Sequence, residues 1–329
     1  MDLDQYIAYL MSNPSNSSCV NASDVLQVSH DQINRFLLAS DYTGKDLFDS
    51  VRPTLSLQGG TLSVDETILD KPFTQPGTTE LVGRFCGAAR RSGKHHRVVQ
   101  GISLLALVYT HQGRSVPVNF RVYRHVEGKS KNDYFREMTL ELWRWGLRPA
   151  WVTADAWFSS LDNLKFLRSL EVGVMMGLEK NRLISTQPSE YEQVGQANIP
   201  ASGLLTHLRG FEMVAVFRTV DTDSDARHYL LYHPDSQYAA SHLYNAERFE
   251  QLRLSHWQVE LFFRAVKQAC RAEKFYVRTT SAIKTHLYCV MRAFQKLAAM
   301  SRDGLIDSVY KLREMLYRDA QRNWIHDFA

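Results

Sequence analysis

Cysteine is scarce in this chain: four in 329 residues, Cys19, Cys86, Cys270 and Cys289, with no Cys-x-x-Cys pair among them. That excludes a disulfide scaffold at this size and fits a reduced, cytoplasmic protein. Cys86 near His95 and His96 lacks the second close ligand pair that a structural zinc site requires. No apolar run approaches membrane-spanning length and no basic-then-apolar leader begins the chain, so neither membrane insertion nor secretion is expected. Walker loops, GxGxxG turns and serine-hydrolase elbows are also missing, which leaves no nucleotide cofactor to expect. Internal repeats and low-complexity tracts are absent.

Charge of one sign is missing locally. Residues 81–100 carry Arg84, Arg90, Arg91, Lys94 and Arg97 with no acid, beside His95 and His96. Residues 251–300 carry nine Lys and Arg against two acids, Glu260 and Glu273. Against a whole-chain balance of only +4, such blocks point to a polyanionic partner more strongly than net charge does. Hydrophobic content of 44% with 11% aromatics is that of a globular protein.

The order of elements predicts an α/β fold. The first ~55 residues read as helical, with two short helices meeting near Ser29, a good N-cap type. A helix-turn-helix and a plain helical hairpin packed on the main body both match that pattern. Strand-like runs follow at about 61–69, 97–110 and 116–124, the last two joined by a hairpin at His111-Gln112-Gly113-Arg114. Then come a helix at 132–145, a strand at 150–155, a helix at 159–170 and a strand at 171–178. Residues 180–240 are β-rich, with polar turns such as 221–225. A long helix at about 245–272 and further helices at 280–320 complete the chain. Three strands, then helix, strand, helix and strand, is the order of a ribonuclease-H-like mixed sheet flanked by helices. The expected division is a helical N-terminal DNA-binding segment (1–58), a core (59–179 and 241–300), a β-rich insertion (180–240) and a helical tail (301–329).

Three carboxylates stand in telling places. Asp65 lies within a strand beside Val64, where an acid costs free energy unless paired or metal-bound. Asp155 closes an apolar strand, the end where α/β sheets carry functional groups. Glu260 lies in the long basic helix. At about 100° per residue, Arg253, His256, Arg264 and Lys267 fall within about 40° of it, and apolar Leu252, Val259, Phe262 and Val266 gather elsewhere. Acids converging from two strands and a helix are what two-metal phosphoryl transfer needs. Lys267 and Arg264 would then hold the phosphate backbone. A solvated helix with i, i+4 pairs from Glu260 to Arg264 or His256 explains the same face equally well. By alternation Glu66 faces opposite Asp65, and Asp162 reads as an early-helix acid favoured by the dipole.

Asp65, Asp155 and Glu260, with the string Trp257-Gln258-Val259-Glu260-Leu261-Phe262-Phe263-Arg264-Ala265-Val266-Lys267-Gln268, resemble the DDE transposases of bacterial insertion sequences. The branch closest in pattern has a β insertion before the glutamate and a lysine seven residues after it. The resemblance spans roughly residues 60–300. It implies a ribonuclease-H-like catalytic core and two Mg²⁺ or Mn²⁺ ions held by Asp65, Asp155 and Glu260. It also implies cleavage of double-stranded DNA at terminal inverted repeats, joining to target DNA, a homodimer bringing two DNA ends together, and a place at the bacterial nucleoid. Arg253, His256, Trp257, Arg264 and Lys267 would contact DNA. The branch signature has arginine four residues before the glutamate and tyrosine seven before it; this chain has His256 and Arg253. An inactive DNA-binding relative or regulator, and a ribonuclease-H-like nuclease without strand transfer, are the alternatives.

Overall fold

The computed structural model describes the whole chain except residues 16, 40, 76, 78, 87–97, 188–189, 221–225, 235–244 and 329. The basic residues Arg90, Arg91, Lys94 and Arg97, with His95 and His96, and the polar turn at 221–225 therefore lie outside the described residues.

The chain opens with helices α1 (Leu3–Ser12), α2 (Cys19–Leu26), α3 (His30–Ala39) and α4 (Gly44–Val51). Capping boxes at Asp2/Gln5 and Thr43/Asp46 start α1 and α4 by satisfying orphan backbone donors. A left-handed Gln27 (φ 52°) ends α2. Strands β1 (Thr61–Asp70), β2 (Val82–Cys86), β3 (Val98–His111) and β4 (Arg114–Val122) follow. The hairpin between β3 and β4 turns through Gln112 (φ 50°) and Gly113 (φ 74°), the two positive φ values of a tight two-residue connection. Helix α5 (Lys131–Arg144) leads to β5 (Trp151–Ala154), α6 (Leu161–Ser169) and β6 (Gly173–Leu178). Then come β7 (Leu183–Gln187), β8 (Glu190–Gln193), β9 (Leu204–Leu208), β10 (Met213–Val220) and β11 (Ala226–Tyr232). Helices α7 (Ala246–Gln268), α8 (Thr280–Arg302) and α9 (Leu312–Phe328) close the described chain.

All eleven described strands join one sheet, ordered β2-β3-β1-β5-β6-β11-β10-β9-β7-β8, with β4 sharing the outer side of β3. β1 is antiparallel to β3 and parallel to β5, and β5 is parallel to β6. The β-rich stretch continues this sheet, because β11 pairs antiparallel with β6. Apolar side chains of β1 and β5 (Leu62, Val64, Val152, Ala154) bury against α5 and α6 through Phe135, Met138, Leu142, Leu164 and Leu167. On the other face, α1, α3, α7 and α8 share a core with Leu104, Ala106, Val108 and Phe120.

Two expectations are corrected. β2 was not foreseen: Val82-Gly83-Arg84-Phe85-Cys86 is short and lacks clean alternation, and it pairs only with residues 98–102 of β3. The long helix ends at Gln268 rather than near 272, because Arg271 adopts φ 63° and the Cys270 and Ala272 amides fold back onto the carbonyls of Ala265 and Val266. Among the described residues no helix is long and apolar enough to cross a membrane.

Candidate active site

Helix α7 lies across β1 and β5 and is fixed there by a short polar ladder. The hydroxyls of Ser63 and Thr153, both wholly buried, hydrogen-bond across the parallel strands at 2.8 Å. Ser63 also donates to the Ser255 carbonyl at 3.3 Å, and Thr153 Oγ1 meets His256 Nδ1 at 3.3 Å. Each hydroxyl therefore points at α7, and by strand alternation so does Asp65, two positions after Ser63; Asp155, two positions after Thr153, stands just past the end of β5. The register sets Val64 beside Ala154, so the two aspartates follow as neighbours where the parallel pair ends. Glu260 stands one turn beyond His256 on the exposed face of α7.

Past β5 the chain turns sharply. Asp155 caps the 3-10 turn Ala156–Phe158, its carboxylate accepting the Trp157 N–H at 3.1 Å. That turn lies against β6 where Gly177 sits; a Cβ there would stand 2.5 Å from the Ala156 nitrogen. Only glycine lets the two backbones approach this closely.

The acids influence one another. Burial raises the Asp65 carboxyl well above the usual carboxylate range, the charges of Asp155 and Glu260 add to the rise, and the Glu66 N–H, donating to it at 2.7 Å, opposes it. Asp155, still open to solvent on one side, is pushed up to about 6 by burial first; the Trp157 N–H resists, and the charges of Glu66 and Glu260 add. Glu66 points to the opposite face, as expected, where it pairs with Lys131 at 2.5 Å. Its field nevertheless reaches Asp155, because it leaves β1 next to the strand end. Asp162 lies in the first turn of α6.

The cations around Glu260 depart from the uniformly basic face that helical spacing predicts. His256 is pushed down to about 4 by burial and is neutral near pH 7. Lys267 donates to the Ile68 carbonyl at 2.7 Å and pairs with Glu273 at 3.1 Å, pinning α7 to β1. Arg253 pairs with Glu250 at 2.8 Å. Arg264 is exposed, with its charge felt at Tyr310. No ion pair joins Glu260 to Arg264 or His256 among the described residues, so the i, i+4 pairing does not form. Trp257 is 48% exposed.

The donor set matches a hard divalent cation in kind: carboxylate oxygens only, two from adjoining strands, whose mutual repulsion a cation would relieve. Among the described residues, however, no group of three His, Cys, Asp or Glu side chains is gathered closely enough to hold an ion. The acids also lie outside the grooves of about 410 and 500 Å³ that flank α7.

Sequence reasoning missed Ser63, Thr153 and Gly177. The first two had a signal, since each aspartate is preceded by a hydroxyl residue two positions earlier. Gly177 had none, because its role arises from a contact between separate segments.

A search of curated protein sequences returns no match. Among solved structures, a piggyBac transposase, from a cryo-EM structure of its synaptic complex with hairpin DNA, is similar at TM-score 0.55 and 11% identity over 91% of this chain. This chain covers 64% of that protein's length. A Drosophila P element transposase in a strand transfer complex aligns at TM-score 0.30 and 9% identity, over 97% of this chain and 85% of that one. The piggyBac likeness and the β3-β1-β5-β6 order agree with the ribonuclease-H-like fold expected from sequence. The transposase DDE domain family matches residues 57–294, most of the sequence, and the chain belongs to that family.

Proposed function

We propose that this protein is a transposase that cuts double-stranded DNA at the inverted-repeat ends of its insertion sequence and joins those ends to target DNA. The observation that carries the reading is the placement of Asp65 and Asp155 side by side at the end of a parallel strand pair, with Glu260 acting on both from α7. These three side chains would hold two Mg²⁺ or Mn²⁺ ions. When bound, such ions polarise phosphoryl oxygens and lower the pKa of water.

The chain's own residues do the rest. The Ser63–Thr153–His256 ladder fixes how far α7 stands from the acids. Arg264, Arg253 and Trp257 face outward where a DNA strand would lie. Lys267 would exchange Glu273 for a phosphate while keeping its bond to Ile68, and neutral His256 offers a hydrogen bond rather than a charge. Bringing two DNA ends together would call for a homodimer, and acting on its own insertion sequence would keep the protein at the bacterial nucleoid.

Strand cleavage and joining, assayed on the DNA flanking the gene with Mg²⁺ or Mn²⁺, tests this. Asp65→Ala, Asp155→Ala and Glu260→Ala should each abolish both products, at least a hundredfold in rate on the scale of lost electrostatic catalysis, while DNA binding persists. Full activity in any one variant sinks the assignment. Fragments without joined products would identify a nuclease. The second reading is a DNA-binding relative without cleavage; binding without cutting in the same assay would establish it.

A further inference from the structure

Three of the chain's six tryptophans are more than a third exposed, and two of these flank acids of the site. Trp257 lies three residues before Glu260. Trp157, two residues after Asp155, is 62% exposed. The other three have packing roles: Trp151 is buried against β6 and β11, Trp145 lies against Phe48 and Trp143 beside Arg148. The Trp157 indole enters no ring stack or cation–π contact among the described residues.

The turn that presents it is held firmly. Phe158 is buried against Phe135 at 5.6 Å between ring centroids. Asn163 donates to the Phe158 carbonyl at 2.9 Å, and Ser159 Oγ donates to the Ala156 carbonyl at 2.8 Å. Gly177 closes the turn from below, and the Trp157 amide is itself bound by the Asp155 carboxylate. Within this clamped turn Trp157 is the large side chain left outside. An indole in water forgoes the burial that a large aromatic ordinarily gains. With its backbone fixed by the turn, it has only its side-chain rotamers to order when it meets a flat partner.

We infer that Trp157 is a nucleobase-stacking subsite: its indole takes the face of the base next to the phosphate at Asp155, with Trp257 as a second aromatic surface on the α7 side. The inference rests on the DNA-cutting reading above. Aromatic stacking on bases tolerates any sequence, because every base has a π face, so this contact would hold the DNA end in place rather than select it. Trp157 is a positioning residue here.

The test uses the full-length chain and a duplex taken from the DNA flanking the gene, with 5-iodouracil at the base beside the cut. Long-wavelength irradiation should crosslink that base to Trp157, as located by mass spectrometry. Trp157→Ala should abolish the crosslink at this position and slow cleavage about tenfold, the size of one lost stacking contact. Trp157→Phe should keep cleavage within about threefold of the parent, since a phenyl face still stacks. Unchanged melting of both variants would show that the turn survives. Crosslinking elsewhere, or Trp157→Ala cutting as fast as the parent, overturns the inference and leaves the transposase reading standing. Failure of the parent protein to bind or cut DNA overturns both.

Discussion

At the scale of single residues, Asp155 makes the site measurable without DNA. Its folded pKa of about 6 lies above the unfolded value of 3.8. The folded state therefore binds the extra proton between these values. That contribution to stability is complete below pH 3.8 and is lost as pH rises through 6. At neutral pH the carboxylate is then a cost to the fold, and Asp155→Asn should remove it. Two units would be worth about 3 kcal/mol in full. Because Asp155 is open to solvent, screening reduces the expected gain to about 1 kcal/mol. Without divalent ions at pH 7.5, the variant should melt roughly 2 °C above the parent, and the difference should vanish toward pH 4. On the proposed reading, in which Asp155 would help hold the ion, added Mn²⁺ should raise the melting temperature of the parent and not of the variant. Equal melting at pH 7.5 would show that Asp155 bears no such strain.

At the scale of elements, the site is three pieces held in register by hydroxyls. Ser63→Ala and Thr153→Val each remove one side of the 2.8 Å bond between β1 and β5 and part of the contact to α7. Each should cost about 1–2 kcal/mol, because the remaining buried hydroxyl is left short of a partner. The double variant should cost less than the sum of the two, as expected for residues sharing a bond. Additive losses by denaturant titration would mean that the ladder is not cooperative. This ladder also marks how far the sequence could be read. Asp65, Asp155 and their strands were legible because strand alternation and apolar flanks are local signals. The basic face around Glu260 was legible as a pattern but not as a charge state. The neutrality of His256 and the Lys267–Glu273 pair depend on what β1, β5 and the loop after α7 bring to the helix, and no spacing along α7 carries that information. The fold order was readable for the same reason as the acids, whereas β2 was lost because a short strand with glycine and arginine has no period to detect.

At the scale of the whole molecule, the two segments outside the matched family region differ in what they contribute. The family match begins at residue 57, yet the helices before it supply core: Tyr6, Ile7, Leu10, Ile33 and Leu37 are buried in one cluster with Val259, Phe262, Leu287 and Val290 of α7 and α8. Ser50 also hydrogen-bonds Gln295 at 3.0 Å, across 245 positions of sequence. Helix α9 is the reverse case. Leu312 is buried and Arg313 donates to the Leu10 carbonyl at 3.0 Å, but every described residue from Met315 onward is exposed, Trp324 and Phe328 included. Removing residues 1–56 should therefore prevent cooperative folding, because it strips apolar partners from both α7 and α8. Removing residues 315–329 should leave the melting temperature within about 2 °C of the parent, since exposed side chains contribute little to stability. Circular dichroism melts of the two truncations, side by side, separate these outcomes. A stable fold without residues 1–56 would show that the family-matched region closes by itself. Collapse on removing residues 315–329 would mean that the exposed aromatic side chains of α9 are covered in solution, because nothing within the described chain touches them enough to make their loss costly.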